Sequence, residues 1–258
     1  MFELNSKRLP RHVAVIMDGN GRWAKKRLRG RIYGHKEGAN SARDIVTCSR
    51  RLGIPYLTLY TFSKENWNRP QTEIKALWGL LERFLKSETP ELIEQEISLR
   101  HIGDLQGIPP KMLKTLRTTE ELTARFDKLI LNLALNYGGR QEVVQAAKLF
   151  AADIASGLIG PGQITTEMFS SYLYTSDCPD PDFVIRTGGE LRVSNFLLWQ
   201  IAYAELYFTE ILWPDFREAD FMEALREFQS RERRFGRTGE QVRTSIENGV
   251  ELGIQSGR

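Results

Sequence analysis

Residues 12–24 read HVAVIMDGNGRWA, an apolar run that ends abruptly in an acidic, glycine-rich turn. The apolar part, residues 13–17, is typical of a strand buried on both faces. Asp18 supplies the hard oxygen ligand that Mg²⁺ prefers, and Arg22 supplies a forked donor that suits phosphate. The glycines between them allow tight turns and close backbone approach to a ligand. The turn therefore predicts a phosphate site with Mg²⁺ at the end of the first strand.

An ordinary hairpin turn between two strands is the alternative interpretation of Asp18-Gly19. It is weakened because the segment continues into a basic helix with Arg31 and His35, not into a second strand. A helix that starts here would also present free N–H groups to an anion.

Five more short apolar runs follow, at residues 56–62, 97–102, 129–135, 183–185 and 205–208, and the first three are directly succeeded by Ser, Gly and Asn. Helical patterns alternate with them at about residues 34–52, 71–86, 110–123, 141–155 and 218–234. Such alternation predicts a mostly parallel sheet that is covered on both faces. We therefore predict a single α/β domain over residues 1–258, with a six-stranded central sheet flanked by helices.

The composition narrows the class of protein. The 258 residues are 41% hydrophobic and 27% charged, as in ordinary globular proteins, and the net charge of +3 gives no indication of nucleic acid as a partner. Cys48 and Cys178 fit neither a zinc site nor a disulfide framework. The N-terminus has no apolar signal region, and no apolar run is long enough to span a bilayer. We expect a cytoplasmic protein that is at most peripheral to a membrane.

Polar residues concentrate after two more strands, at the strand ends where ligands of parallel α/β sheets bind. After the second strand, residues 62–70 read FSKENWNRP, with a hydroxyl, an amide, an indole and a guanidinium in one loop. After the fifth, residues 186–196 read RTGGELRVSNF, where two arginines, a glycine pair and a serine suit a diphosphate. The alternative for the first loop is a plain polar loop in which Trp67 covers the core.

Glu205 is an isolated acid in the apolar stretch of residues 199–207. Acidic side chains are seldom fully buried unless they are paired or bind metal. We interpret Glu205 as a second carboxylate for one metal, and the alternative is a salt bridge to a nearby arginine. The residues alone predict only that the site binds a phosphate or diphosphate ligand together with Mg²⁺.

The assembled motifs resemble those of the cis-prenyltransferase family, in particular its bacterial undecaprenyl diphosphate synthase branch. The matching stretches are residues 12–24, 58–70, 136–140, 186–213 and 231–236. The resemblance covers about residues 9–236 and says nothing of the tail at 237–258. All five motifs occur in order, which makes the resemblance specific.

This resemblance implies a role for each site residue. Asp18 would hold Mg²⁺ and the allylic diphosphate, Glu205 would be the second metal-linked carboxylate, and Asn66 is the proton acceptor that the family assigns. The allylic substrate would be bound by Gly19, Asn20, Gly21, Arg22, Trp23, Arg31, His35, Trp67 and Arg69. The reacting centre and the isopentenyl diphosphate would be bound by Ser63, Lys64, Glu65, Arg186, Arg192, Val193 and Ser194.

The resemblance further implies the reaction and its partners. Isopentenyl diphosphate and an allylic prenyl diphosphate, with farnesyl diphosphate the expected primer, would be joined in successive cis additions. The product would be a long polyprenyl diphosphate such as undecaprenyl diphosphate, the lipid carrier of cell-wall synthesis. A homodimer is expected, and transient contact with a membrane surface would allow product release. The growing chain needs an apolar tunnel, which the helix at 71–86 and the strand at 129–135 can line.

Three other functions make different demands on the sequence. A nucleotide phosphotransferase would need a Walker lysine loop, which is absent. A non-catalytic prenyltransferase-like subunit would have lost Asp18 or the 186–194 cradle, and both are intact. A nucleic-acid binder would pair its basic segments with exposed aromatic rings.

The length of the product suggests one more hypothesis. Leu129, Leu131, Leu133 and Leu135 share one face of a strand, because side chains alternate along it. If that face lines the tunnel, Leu129 lies near the floor and limits chain growth. The alternative is that Leu129 is ordinary core.

Overall fold

The protein is described from a computed structural model, which covers residues 4–231 and contains one six-stranded sheet. Its strands are β1 (His12–Ile16), β2 (Tyr56–Ser63), β3 (Ile97–Ile102), β4 (Leu129–Tyr137), β5 (Phe183–Arg186) and β6 (Glu205–Phe208). Neighbouring strands pair in parallel, in the order β3-β4-β2-β1-β5-β6. The predicted six-stranded α/β domain is confirmed, and each pair is parallel.

The described residues form seven α-helices around this sheet: α1 (Asn20–Lys26), α2 (Arg31–Leu52), α3 (Gln71–Glu94), α4 (Pro110–Thr123), α5 (Gly139–Ala155), α6 (Thr166–Ser170) and α7 (Glu218–Ser230). The largest difference from the sequence prediction is in α3, which we expected to end near residue 86. It continues through Pro90, and its last turns are held to the core by the buried Leu92. The predicted extension of α7 to residue 234, the motif at 232–236 and the tail at 237–258 lie outside the described residues.

The strands β1, β4 and β5 form because their apolar runs are buried on both faces. All nine residues of β4 are buried, as expected for a central parallel strand covered on both sides. On one face, Leu129, Leu131, Leu133 and Leu135 join a large core cluster with residues of α2, α3, α4 and α7. The other face carries a smaller cluster in which the rings of Tyr60 and Phe196 stack at 4.4 Å.

The strand order places the candidate loops together. β1 lies between β2 and β5; the chain passes from β1 to β2 on one side, and from β5 to β6 on the other, so these two connections run in opposite directions. This is a topological switch point, the place where open α/β sheets bind ligands. The turn at Asp18 therefore lies between the loop that follows β2 and the loop that follows β5.

Candidate active site

Asp18 forms the centre of the site. Its Oδ2 accepts from Arg186 Nη2 at 3.0 Å and lies 3.1 Å from Arg22 Nη2. Thr187 fixes the backbone of the same residue, since its hydroxyl accepts from the Asp18 N–H at 3.0 Å and donates to the Asp18 carbonyl at 2.7 Å. The carboxylate is thus held at the end of β1 between two guanidinium groups, with a third of its side chain exposed.

The loop after β5 is organised by Arg186, which is 4% exposed. Its Nη1 donates to Ser194 Oγ at 2.6 Å and to the Arg192 carbonyl. Its Nε is buried and has no hydrogen-bond partner among the described residues. Arg192 is 64% exposed at its side chain and pairs with Glu190 at 2.5 Å. The buried arginine shapes the loop, and the exposed arginine remains open to a ligand.

A second cationic group surrounds His35, on α2. Burial, followed by the positive charges of Arg69 and Arg31, lowers the pKa of His35 to about 4. Both arginines contact Glu73 Oε1, at 3.2 Å from Arg69 and 3.4 Å from Arg31. His35 Nε2 is buried without a hydrogen-bond partner in the described part of the chain. The neutral imidazole is consequently a candidate partner for a ligand oxygen, with two arginines nearby.

The loop after β2 is a 3₁₀ turn, Lys64–Asn68, that begins with a capping box between Ser63 and Asn66. Asn66 Oδ1 accepts from the Ser63 N–H at 3.1 Å, so the amide is held in one orientation. Lys64 forms an ion pair with Asp104 at 2.8 Å, and Trp67 donates to Asn136 Oδ1 at 2.7 Å. Ser63 and Asn66 thereby gain fixed positions at the mouth of a cavity.

One cavity of about 650 Å³ brings ten of the predicted residues together. These are Asp18, Asn20, His35, Ser63, Glu65, Asn66, Arg69, Arg186, Arg192 and Ser194. Beyond them the wall becomes largely apolar and follows α3 from Leu77 to Gln95. At 1.5 Å per residue, this helix face extends about 27 Å. The cavity therefore combines a polar end that can bind anions with a long apolar compartment.

The apolar wall agrees in part with the hypothesis about β4. Leu131 and Leu133 line the cavity. Leu129 does not line it, but it is fully buried on the same strand face, one repeat beyond Leu131. Leu129 thus lies behind the wall and not on it, and whether it limits chain growth stays a prediction.

Other predicted residues support the site from outside the cavity. Gly19 has φ +115°, and a Cβ there would lie 2.9 Å from the Leu212 Cα, so both conformation and space require glycine. A Cβ on Gly21 would lie 3.2 Å from Arg31 Nε. Trp23 is buried, donates to Asp215 at 2.6 Å and stacks under Arg27.

Four more residues that were predicted to bind substrate have other contacts in the structure, and their binding roles stay predictions. Trp67 packs against Phe62 and Trp78, a contact that fits the alternative of an indole that covers the core. Lys64 is turned to Asp104, and Val193 packs against the smaller core cluster. Arg31 reaches Glu73 and does not line the cavity wall. The local sequence could not show these contacts, because each partner is distant along the chain or lies across the sheet.

Whether Glu205 shares a metal ion with Asp18 stays a prediction. Glu205 pairs in the sheet with Phe183, whereas the Asp18 carboxylate is bonded to Arg186, three residues further along β5. Three residues span about 10 Å in a strand, so the backbone of Glu205 is offset along the sheet from that of Arg186. Glu205 forms a salt bridge with Arg231 at 3.0 Å, which was the alternative interpretation.

Asp18 can still hold Mg²⁺ together with a substrate. It lines the cavity, and both of its ion pairs are made through Oδ2. Within residues 4–231, no group of three or more His, Cys, Asp or Glu side chains is placed to bind a metal by itself. Mg²⁺ is commonly held by one or two carboxylates plus substrate phosphates, and this arrangement suits that pattern.

Sequence reasoning missed three residues that position the site. Thr187 binds the Asp18 backbone, and Glu73 joins Arg31 to Arg69. Asn195 connects three separate loops through its side chain. Thr187 and Asn195 lie inside the quoted 186–196 motif, so their presence in it was the available signal, but their contacts are not local.

Comparison with known proteins identifies the family. The family described as "Putative undecaprenyl diphosphate synthase" matches residues 16–236. Isoprenyl transferase of Chlorobaculum tepidum is 51% identical over 237 residues, covering 92% of this chain and 89% of the relative. Isoprenyl transferase of Bacillus subtilis is 49% identical over 228 residues, covering 88% of each.

Solved structures agree with these sequence relatives. Lavandulyl diphosphate synthase from Lavandula x intermedia, in complex with dimethylallyl diphosphate, has a TM-score of 0.87 and 38% identity, over 89% of this chain and 99% of that one. A probable undecaprenyl diphosphate synthase from Campylobacter jejuni has a TM-score of 0.73 and 35% identity, over 92% and 100%. The fold and site define a prenyltransferase. The chain belongs to the isoprenyl transferase family of undecaprenyl diphosphate synthases.

Proposed function

We propose that the protein joins isopentenyl diphosphate to an allylic diphosphate in successive cis additions and releases a long polyprenyl diphosphate. In its most specific form, the primer is farnesyl diphosphate and the product is undecaprenyl diphosphate, the lipid carrier of cell-wall synthesis. The observation that carries this proposal is the single cavity in which a cationic end opens into a long apolar compartment. Such a shape matches a molecule with a diphosphate head and a hydrocarbon tail.

The allylic diphosphate is assigned to the side of the cavity with Asp18, Asn20, His35 and Arg69, with Arg22 and Arg31 nearby. Breaking the allylic carbon–oxygen bond moves negative charge onto the leaving diphosphate. Preorganised cations and donors stabilise that charge where it develops. Mg²⁺ bound at Asp18 would supply further positive charge to the same oxygens. The relative from Lavandula, solved with dimethylallyl diphosphate, supports an allylic diphosphate ligand.

The isopentenyl diphosphate is assigned to Arg186, Arg192 and Ser194 in the loop after β5. Its double bond attacks the allylic carbon, and a proton then leaves. Asn66 is a poor base, and its Oδ1 already accepts from the Ser63 N–H. Asn66 therefore orients the substrate, while a diphosphate oxygen takes the proton.

The test is incubation of the purified protein with Mg²⁺, radiolabelled isopentenyl diphosphate and either farnesyl or dimethylallyl diphosphate, followed by chromatography. A ladder of products that ends at a long chain with farnesyl diphosphate supports the proposal. No label in any polyprenyl product would instead indicate a non-catalytic, diphosphate-binding subunit. A short product that forms only with dimethylallyl diphosphate would support prenyl transfer and contradict the proposed long product.

We also propose that the protein is a homodimer in the cytoplasm and touches a membrane surface when product leaves. No helix among the described residues is long and apolar enough to cross a bilayer. Val144 and Leu149 expose apolar surface on α5, which is available to a second copy. Leu28 is 96% exposed in a turn that also carries Lys25, Lys26, Arg27 and Arg29, a combination that suits anionic lipid. Light scattering tests the dimer, and sedimentation with anionic against neutral vesicles tests the contact.

A further inference from the structure

Asn195 occupies the junction of three loops that come from different parts of the chain. Its Nδ2 donates to Glu65 Oε1 at 2.8 Å and to Gln141 Oε1 at 3.1 Å. Its Oδ1 accepts from the Arg140 N–H at 2.8 Å, and its carbonyl accepts from the Gly139 N–H at 2.7 Å. One residue thus joins the loop after β5 to the loop after β2 and to the start of α5.

The backbone at this junction is held in an unfavourable conformation. Asn195 has φ +62°, and Ser194 and Leu197 have φ +48° and +44°. Asparagine tolerates the left-handed region better than most residues, and the surrounding contacts must hold the others there. Gly138 leaves the space for the junction, since a Cβ on it would lie 2.8 Å from Asn195 Nδ2 and 2.4 Å from Gln141 Oε1.

The sheet itself does not connect the two loops that Asn195 joins. β2 and β5 lie on opposite sides of β1 and make no ladder with each other. Glu65 and Ser194 nevertheless line the same cavity from these two sides. Their relative placement therefore depends on a contact that crosses over the end of β1, and Asn195 provides one.

We propose that Asn195 is a positioning residue that fixes Ser194 against Glu65 and so aligns the two substrate-binding halves of the cavity. The assignment of those halves rests on the proposed function. Ser194 Oγ is already bonded to Arg186 Nη1 at 2.6 Å. A shift of the Asn195 backbone therefore displaces Ser194 and its bond to Arg186, while Thr187 still holds the Asp18 backbone and His35 stays in place on α2.

The test reverses the direction of one hydrogen bond. Asn195→Asp keeps the acceptor for the Arg140 N–H but places a carboxylate against Glu65. We expect kcat/KM for isopentenyl diphosphate to fall about 10–100-fold, as the loss of a charge-assisted hydrogen bond implies. The KM for the allylic diphosphate and the melting temperature should change little. Combining Asn195→Asp with Glu65→Gln lets the new amide donate to the new carboxylate, and should recover about tenfold over Asn195→Asp alone.

Glu65→Gln alone completes the double-mutant cycle: Asn195 can still donate to the new amide oxygen, and any loss in this variant measures the separate contribution of Glu65 as a cavity residue. Asn195→Gly keeps the left-handed backbone and removes the side-chain bonds, so it replaces Asn195→Asp if that variant fails to fold. Calorimetric binding of isopentenyl diphosphate provides a readout that needs no turnover. Wild-type kinetics in Asn195→Asp, or a double variant no better than expected from adding the losses of the two single variants, would overturn the positioning role. Absence of prenyl transfer by the wild-type protein would instead refute the proposed function.

Discussion

The two ends of the sheet each contain a buried histidine whose pKa is lowered to about 4, yet the two are built differently. At the amino end, His12 bonds the Pro179 carbonyl through Nδ1 at 2.6 Å and Thr58 Oγ1 through Nε2 at 2.7 Å. Asn132 donates to the same threonine at 3.1 Å. At the carboxyl end, His35 has an Nε2 without a partner in the described residues and two arginines nearby.

This contrast extends to the surrounding backbone. Asn136, Ser194, Asn195 and Leu197 have positive φ at the end of β4 and in the loop after β5, whereas Glu96, just before β3, is the one such residue next to the amino end of a strand among the described residues. Asn20 Oδ1 and Arg186 Nε add two more buried polar atoms that lack partners within residues 4–231. Strain and unpaired polar groups persist at sites whose ligands satisfy them. The comparison indicates that the paired polar groups at the amino end stabilise the fold, whereas the unpaired polar groups at the carboxyl end are available to bind substrate.

The largest effect is expected at the carboxyl end. Asp18→Ala should lower turnover about 10²–10³-fold, the usual cost of removing one group that stabilises developing charge. Water can replace the carboxylate because the side chain is one-third exposed, so the fold should survive. Steady-state kinetics and circular dichroism measure the two outcomes.

The matched control for Asp18 is Asp44→Ala, which removes the exposed partner of Arg217. A surface pair of this kind contributes about 0–1 kcal/mol to stability, and turnover should not change. Near-normal turnover in a folded Asp18→Ala protein would remove Asp18 from the mechanism and leave the two ends of the sheet functionally alike.

The amino end should respond through stability and through chain length. Leu129→Ala should lower the free energy of unfolding by about 2–5 kcal/mol, as is usual for a buried leucine. If the void joins the cavity beside Leu131, the products should also lengthen while the first condensation is nearly unchanged. Product chromatography and thermal melting are compared on the same variant.

Leu116→Ala is the control for Leu129, since Leu116 is equally buried in the same core cluster but lies on α4 and not on the face of β4 behind the cavity wall. It should destabilise the protein by a similar amount and leave the product distribution unchanged. Equal product distributions in both variants would make Leu129 ordinary core.

A smaller effect is expected for Arg192→Ala, which should raise the KM for isopentenyl diphosphate about tenfold. Charge-assisted contacts to phosphate contribute roughly 1.5–3 kcal/mol, and the lower limit applies because Arg192 is exposed and already paired with Glu190. Arg217→Ala provides the control for loss of a surface arginine. A KM that rises for the allylic substrate alone would mean that the two substrate sites are interchanged.

The sequence predicted the parts of the site that are local. The run at 12–24 contains both the strand and its turn, so β1, Asp18 and Gly19 could be placed without the fold. The position of Glu205 could not, because it depends on the register of β6 against β5. Trp67 and Lys64 were assigned to substrate, but their partners Asn136 and Asp104 come from elsewhere in the chain. Local chemistry identifies the loops, and strand register decides which side chains meet.

The smallest effect tests the amino end by pH. The folded pKa of His12, about 4, lies below the unfolded value of 6.5, so the unfolded chain binds the proton more readily. Stability should therefore be constant above pH 6.5 and fall as the pH drops from 6.5 toward 4. At 1.36 kcal/mol per pKa unit, the loss from His12 at pH 5.5 is about 1 kcal/mol. Urea unfolding at several pH values should show this slope, and His12→Gln should flatten it at some cost in stability.

The pKa of His35 is also lowered, so its contribution to stability changes with pH in the same direction. Added pyrophosphate should oppose that contribution, because an anion favours the protonated imidazole. A His12→Gln protein whose remaining slope is unaffected by pyrophosphate would show that His35 does not face the diphosphate.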